Sequence, residues 1–292
     1  MTEMSEELAA AYRECERITW SQARNFAYGI RLLPPAKRRG LATIYAFARR
    51  VDDIGDGDLP ADTKLQQLEQ ARHHLTSNST SNEDPVLFAL ADTARRFPDV
   101  PIEAFGELID GCVADVRGTT YETFDDLLHY CRCVAGSIGR LSLGIFGADD
   151  KQAPVLADSL GVALQLTNIL RDIREDYQNG RVYLPAEDLK KFDCPLDGAS
   201  SEARAPQFTR LVEFEAERAR DWYATGLRLL PMLDRRSAAC TGAMAGIYRR
   251  LLDRIAAEPV AVLRGRVSLP ASQKAAVAVK ALTGITRSGR IQ

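Results

Sequence analysis

Apolar residues recur at three- and four-residue spacings along almost the whole chain, and no convincing run of alternating β-branched residues interrupts them. That periodicity restricts the chain to an all-α fold. Helices are expected over about 5–18, 35–54, 62–75, 84–96, 101–116, 123–146, 151–178, 203–231 and 237–256, with a short C-terminal piece. Leu33-Pro34-Pro35 breaks the chain before one helix, where proline suits the first turn. Thr123 can cap the helix carrying Phe124, Leu127 and Leu128, and Asp125-Asp126 then reads as favourable helix-start charge. Asn179-Gly180 ends the long 151–178 helix, and the connection to about 202, holding Pro185, Pro195 and Gly198, is read as a long irregular segment. No linker composition or repeat period divides the chain, so one helical domain over 1–292 is expected.

The net charge of -2 gives no basic domain for nucleic acid. A site for a polyanion must therefore be built locally, from metal ions or a few placed Arg and Lys. The six cysteines form no C-x-x-C pair, and three histidines (His73, His74, His129) lack zinc-site spacing. The MTEMSEEL opening is too polar for a signal peptide, and no apolar run reaches the ~18 residues a bilayer requires. The expectation is reduced thiols in a cytoplasmic protein, with room left for peripheral contact at the inner membrane face.

Two predicted helices carry matching polar stripes. Tyr45, Arg49, Asp52 and Asp56, with Asp53 beside them, fall within a wedge of about 60° at 100° per residue. Gln165, Asn168, Asp172 and Asp176 fall within about 80°. Charged helix faces are usually just solvated. Here each stripe sets like charges at i,i+4, costing ~0.2–0.5 kcal/mol, and uses Asp where Glu forms helix better. The apolar stripe Leu166, Ile169, Leu170 and Ile173 would also pack the second face toward the core. Carboxylates on rigid helices are oxygen ligands suited to Mg2+, which bridges one or two carboxylates to substrate phosphates. Arg49 and Arg171 offer guanidinium forks that match phosphate oxygens.

These residues resemble a family. The runs Tyr45 to Asp56 and Gln165 to Asp176, the latter followed by Gly180-Arg181-Val182-Tyr183-Leu184-Pro185, look like the two Asp-rich signatures of squalene and phytoene synthases. The segment Tyr130 to Gly139 is similar to the Gly-containing helix between them. The stretch Ala23 to Pro35 looks most like bacterial presqualene diphosphate synthases of hopanoid pathways. The resemblance implies a helical bundle around a central cavity, of the isoprenoid synthase type, working with Mg2+ on prenyl diphosphates. It implies Asp52, Asp56, Asn168, Asp172 and Asp176 as metal ligands, and Tyr45, Arg49, Gln165, Arg171 and Tyr248 near diphosphate. Tyr130 maps to a cavity tyrosine that steers proton loss. Two farnesyl diphosphates would then join head to head as presqualene diphosphate, for use by downstream hopanoid-pathway enzymes.

The chain departs from the family at two points. Ala23-Arg24-Asn25 stands where many relatives carry Ser-x-Ser, so Arg24 and Asn25 become the candidate phosphate donors there. The usual Tyr-Cys-Tyr reads Tyr130-Cys131-Arg132, which puts the product in question. Trp20 and Trp222 read as core or rim aromatics, Phe47, Leu143 and Leu164 as packing, and the basic tail from Arg264 to Arg290 as a solvated end, with Arg266 a candidate over the diphosphate. The same motifs also serve phytoene or dehydrosqualene synthases and, with NADPH, squalene synthase. A terpene cyclase would carry Ser or Thr where Arg171 stands, and a chain-elongating enzyme a second D-D-x-x-D where Asp172-Ile-Arg-Glu-Asp176 stands. An assembly factor on the same fold would lack the aspartates.

Overall fold

The computed structural model describes residues 4–23, 25–76, 83–196 and 204–284, and among them regular structure is entirely helical. The chain runs α1 (Glu6–Gln22), α2 (Phe26–Ile30), α3 (Pro35–Asp56), α4 (Ala61–Thr76), α5 (Pro85–Arg96), α6 (Ala104–Val116) and α7 (Phe124–Cys131). A π-helical turn, Arg132–Gly136, joins α7 to α8 (Ser137–Phe146). Then come α9 (Ala153–Gln178), α10 (Ala186–Lys191), α11 (Ala205–Gly226) with a 3-10 extension to Met232, α12 (Arg235–Ala257), α13 (Ala261–Arg264) and α14 (Ala271–Thr283).

Local chemistry sets these limits. Pro35 opens α3, and Asp84 caps α5 by accepting from the backbone N–H groups of Val86 and Leu87. Thr123 and Asp126 form a reciprocal capping box at the start of α7. The expected 123–146 helix is interrupted by the π turn, and two short helices, α2 and α10, were absent from the sequence reading. The 179–202 connection is thus not wholly irregular. Helix α10 is held there by Arg218 of α11, which donates to Asp188 at 2.7 Å and to Glu215 at 2.8 Å.

Helix α9 is the axis of the structure, packed by α8, the π turn, α11 and α12. By length and composition it could span a bilayer, but most of it is buried inside the bundle. One hydrophobic cluster gathers α1, α3, α5 and α6 around Phe47 and Phe105, whose rings meet edge-on at 4.7 Å. A second gathers α9, α11 and α12 around Phe208 and Tyr223. A large side chain fully buried in this way contributes ~1.5–3 kcal/mol.

The π turn and α8 approach α9 closely because glycines meet backbone there. A Cβ on Gly161 would lie 2.4 Å from the Ala135 carbonyl oxygen, and one on Gly139 would lie 2.4 Å from that of Ala157. The small run around Val134 is therefore close helix packing, and Val134 and Ala135 also line a cavity. All six cysteines are buried and none forms a disulfide.

Candidate active site

Helices α3 and α9 carry the two stripes, and the fold turns them toward one space. A polar mouth of about 870 Å³ is lined by Tyr45, Arg49 and Asp56 from α3 and by Asn168, Arg171, Asp172 and Asp176 from α9. Below it an apolar slot of about 240 Å³ runs between the same helices. Tyr45, Arg49, Asn168 and Phe26 border both spaces, while Asp52 and Gln165 stand at the slot's upper end. The slot's wall on α3 continues down to Leu41, about 16 Å along the axis from Asp52. Phe146, Ala157 and Leu229 enclose its lower part.

The electrostatics of the mouth divide its carboxylates. Asp56 accepts from Arg181 at 2.9 Å, and Asp53 pairs with Arg49 at 2.5 Å. Asp172 is held by its neighbour Arg171 and by Arg266 at 3.1 Å. Asp52 and Asp176 have no ion pair among the described residues. Burial first, and then the like charge of Asp56, raises Asp52 to about 7. Burial first, and then Asp172, raises Asp176 to about 7. The side-chain oxygen of Asn168 is buried and finds no hydrogen-bond donor among the described residues, while its amide donates to Gln165 at 3.3 Å.

Two uncompensated carboxylates and an orphaned amide oxygen form a donor set that a hard divalent cation would satisfy. No group of three or more His, Cys, Asp or Glu stands ready as a cage among the described residues. A hard cation such as Mg2+ takes carboxylate and amide oxygens together with waters. The residues fit, and Asp52, Asp56, Asn168, Asp172 and Asp176 are those that would hold the ion.

The remaining candidates are placed as follows. Tyr248 is buried at the mouth beside Arg171, with its ring stacked on Phe26 at 5.4 Å. Asn25 also lines the mouth, whereas Arg24 lies outside the described residues. Arg266 reaches the mouth on a segment pinned by Arg174, which donates to the carbonyls of Leu263 and Arg264. Arg132 turns from the slot to pair with Asp158 at 3.1 Å, so its departure from the family pattern leaves the lining unchanged. Tyr130 is buried, but its hydroxyl donates to Asp115 of α6 at 2.9 Å and lies behind the lining of both spaces.

Sequence reading missed Asp115, Lys64 and Ser268, placed Lys274 in a solvated basic tail although it lines the mouth, and assigned no role to Arg181 or Tyr183. Lys64 and Lys274 line the mouth, and Arg181 spans from the α9 exit to Asp56. Tyr183 donates to Asp115 at 2.7 Å. The Gly-Arg-Val-Tyr-Leu-Pro run after the second stripe was the one signal that pointed toward Arg181 and Tyr183.

Two Asp-bearing helices facing each other over an apolar slot, in an all-α bundle, define the isoprenoid synthase class of fold. The chain belongs to the squalene/phytoene synthase family, whose model matches residues 21–273. It is 49% identical over 286 residues to a phytoene synthase of Mycobacterium tuberculosis, covering 97% of this chain and 94% of that one. A 15-cis-phytoene synthase of Synechocystis is 34% identical, covering 90% and 82%. A dehydrosqualene synthase crystal structure superposes with a TM-score of 0.86 at 28% identity, covering 97% of this chain and 99% of that one. The squalene synthase HpnC of Alicyclobacillus acidocaldarius gives 0.76 at 30%, covering 90% and 98%.

Proposed function

We propose that the protein is a Mg2+-dependent prenyltransferase that condenses two prenyl diphosphates head to head. The observation that carries this reading is the polar mouth with two facing carboxylate stripes, set directly on an apolar slot. A prenyl diphosphate has that same division between an anionic head and a hydrocarbon tail. Arg49, Arg171 and Arg266 would receive diphosphate oxygens, and Asp52, Asp56, Asn168, Asp172 and Asp176 would hold the metal. When bound, the metal offsets negative charge on the departing diphosphate, which lowers the barrier to breaking an allylic C–O bond. Phe26, Leu164 and the backbone-close wall at Gly139 and Gly161 exclude water from the carbon skeleton.

On chain length, the relatives at 49% and 34% identity, both named phytoene synthase, favour two C20 substrates over the C15 pair expected from sequence. The C15 reading, ending at presqualene diphosphate, is supported by the superposition on enzymes named dehydrosqualene and squalene synthase. One experiment separates them. Purified protein is given geranylgeranyl or farnesyl diphosphate with Mg2+, with and without NADPH, and products are identified by mass. A C40 hydrocarbon from the C20 substrate alone supports the first reading. Presqualene diphosphate from the C15 substrate alone replaces it with the second, and turnover of neither sinks both.

A further inference from the structure

The lower end of the slot rests on a residue that the reading above does not use. The Lys37 ammonium of α3 donates to the backbone carbonyl of Phe146, to a carboxylate oxygen of Asp234 at 2.7 Å and to the Ser237 hydroxyl at 3.2 Å. Phe146 is the last residue of α8, and the final carbonyls of a helix have no partner within it. Asp234 caps the start of α12, accepting from the backbone N–H groups of Arg236 and Ser237. One cation therefore joins the C-terminal end of α8 to the capping carboxylate of α12, and its charge is favourable toward both.

A bridge between helix ends would by itself be structural. This one is tied to the substrate space by what its segments carry. Leu41, one turn after Lys37 on α3, lines the slot, and so does Phe146 itself. Thr241, one turn after Ser237 on α12, lines it as well, and Leu229 does so from the 3-10 extension that leads toward Asp234. Helix α8 also has little room to shift, because a Cβ on Gly144 would lie 2.5 Å from the Val100 Cα. A hydrocarbon tail that overran the slot would have to push Phe146 off Lys37 and leave its buried carbonyl without a donor, which is costly.

Resting on the condensation reading, we propose that Lys37 is a positioning residue that locks Leu41, Phe146 and Leu229 into the closed end of the slot, and that this end sets the longest prenyl chain the enzyme takes. On that reading the mouth holds the diphosphate, so the tail is measured from a fixed origin. Chain length becomes the reach from the aspartates to Phe146. An added isoprene unit that meets a fixed end must fold back or displace it, whereas a shorter tail leaves apolar wall without contact. Lys37 makes and breaks no bond, and its effect falls on substrate choice, not on ionisation.

The test compares kcat/KM across prenyl diphosphates from C15 to C30, in steps of one isoprene unit, with Mg2+ and diphosphate release as the signal. Phe146→Ala is expected to raise the ratio of the next-longer substrate to the wild type's preferred one by about 10–100-fold, the range that a methylene commands in an apolar pocket. Lys37→Met should move the ratio the same way by about threefold to tenfold, the scale of one ordinary hydrogen bond. Lys37→Arg, which keeps a cation there, should return most of the wild-type ratio. An unchanged ratio in either Phe146→Ala or Lys37→Met overturns the proposal, even where activity on every substrate falls, because a structural bridge alone would lower all of them alike. Should Lys37→Met fail to fold by circular dichroism, Lys37→Gln decides by the same ratio. Wild-type protein that takes every length with similar kcat/KM overturns this proposal alone, whereas diphosphate release from none of them overturns the condensation reading with it.

Discussion

The two carboxylate stripes reach the same mouth by different routes. The α3 stripe ends its helix: Asp56 is the last helical residue, and its side chain is 56% exposed. Its guanidinium partner, Arg181, comes from a loop 125 positions away in sequence. The α9 stripe is partly buried in the longest helix, and Asp172 takes its first partner from the adjacent position, Arg171. Yet both stripes follow one rule. Each has one aspartate held by arginine (Asp56, Asp172) and one left uncompensated and raised to about 7 (Asp52, Asp176). The arginine-held members are oriented by their ion pairs; the other two face the like charge that a cation would relieve.

The comparison breaks first at its strongest point. Asp172→Ala or Asp176→Asn should lower product formation by about 10³-fold, the upper range for removing one preorganised electrostatic group. The helical circular dichroism signal should stay nearly unchanged, and retained turnover would remove the metal-ligand role. Next comes the link between stripes. Arg181→Ala frees Asp56 and should cost about 10–100-fold, the usual loss on removing a residue that orients a ligand. Steady-state kinetics should show a raised KM for the prenyl diphosphate, whereas an effect confined to melting temperature would make Arg181 structural only.

The third prediction concerns pH. Asp52 and Asp176 have folded values of about 7 against an ordinary 3.8, so between these limits the folded protein binds more protons than the unfolded chain. Their effect is to lower metal-free stability as pH rises from about 4 to 7, after which it levels off. Buried Glu215, also raised to about 7 but far from the mouth, adds to the slope. Asp52→Asn should flatten the dependence and raise the metal-free melting temperature at pH 8 by about 2–4 °C per kcal/mol recovered. Mg2+ with inorganic diphosphate should do the same for the wild type. A melting temperature that climbs across this window would show that the two aspartates are not the uncompensated pair. The smallest effect is expected from Arg132→Tyr. Arg132 is half-exposed and does not line the slot, and its partner Asp158 is also held by Arg140, so activity should change by less than about threefold.

The stripes were legible in sequence because a helix converts spacing into direction. Tyr45, Arg49, Asp52 and Asp56 had to share a face once α3 was a helix, and the same held for α9. The central helices, the Thr123 cap and the proline starts were legible for the same local reason. What periodicity does not encode is which distant segments meet. Asp115 sits on an ordinary amphipathic helix, and its meaning appears only when Tyr130 and Tyr183 arrive from two other segments. Arg266 gains a partner because Arg174 pins the chain that carries it. Helices α2 and α10 are too short for a periodic signal. The π turn was invisible because the contacts around it, Gly136 against Asp158 and Gly161 of α9 against Ala135, are tertiary.

The buried thiols have a use of their own. Cys15, Cys112 and Cys240 belong to the first hydrophobic cluster, and Cys131 and Cys194 to the second. Each is shielded from aqueous alkylating reagents in the native state, so each becomes a clock that starts only when its surroundings open. Mass spectrometry of pulse-labelled protein would time the two clusters separately. Matching rates would mark one cooperative unit from α1 to α14, and divergent rates would mark where the bundle first comes apart. Cys112 adds a local reporter, because its sulfur lies 3.8 Å from Asp52 and its labelling would register disturbance of the first stripe.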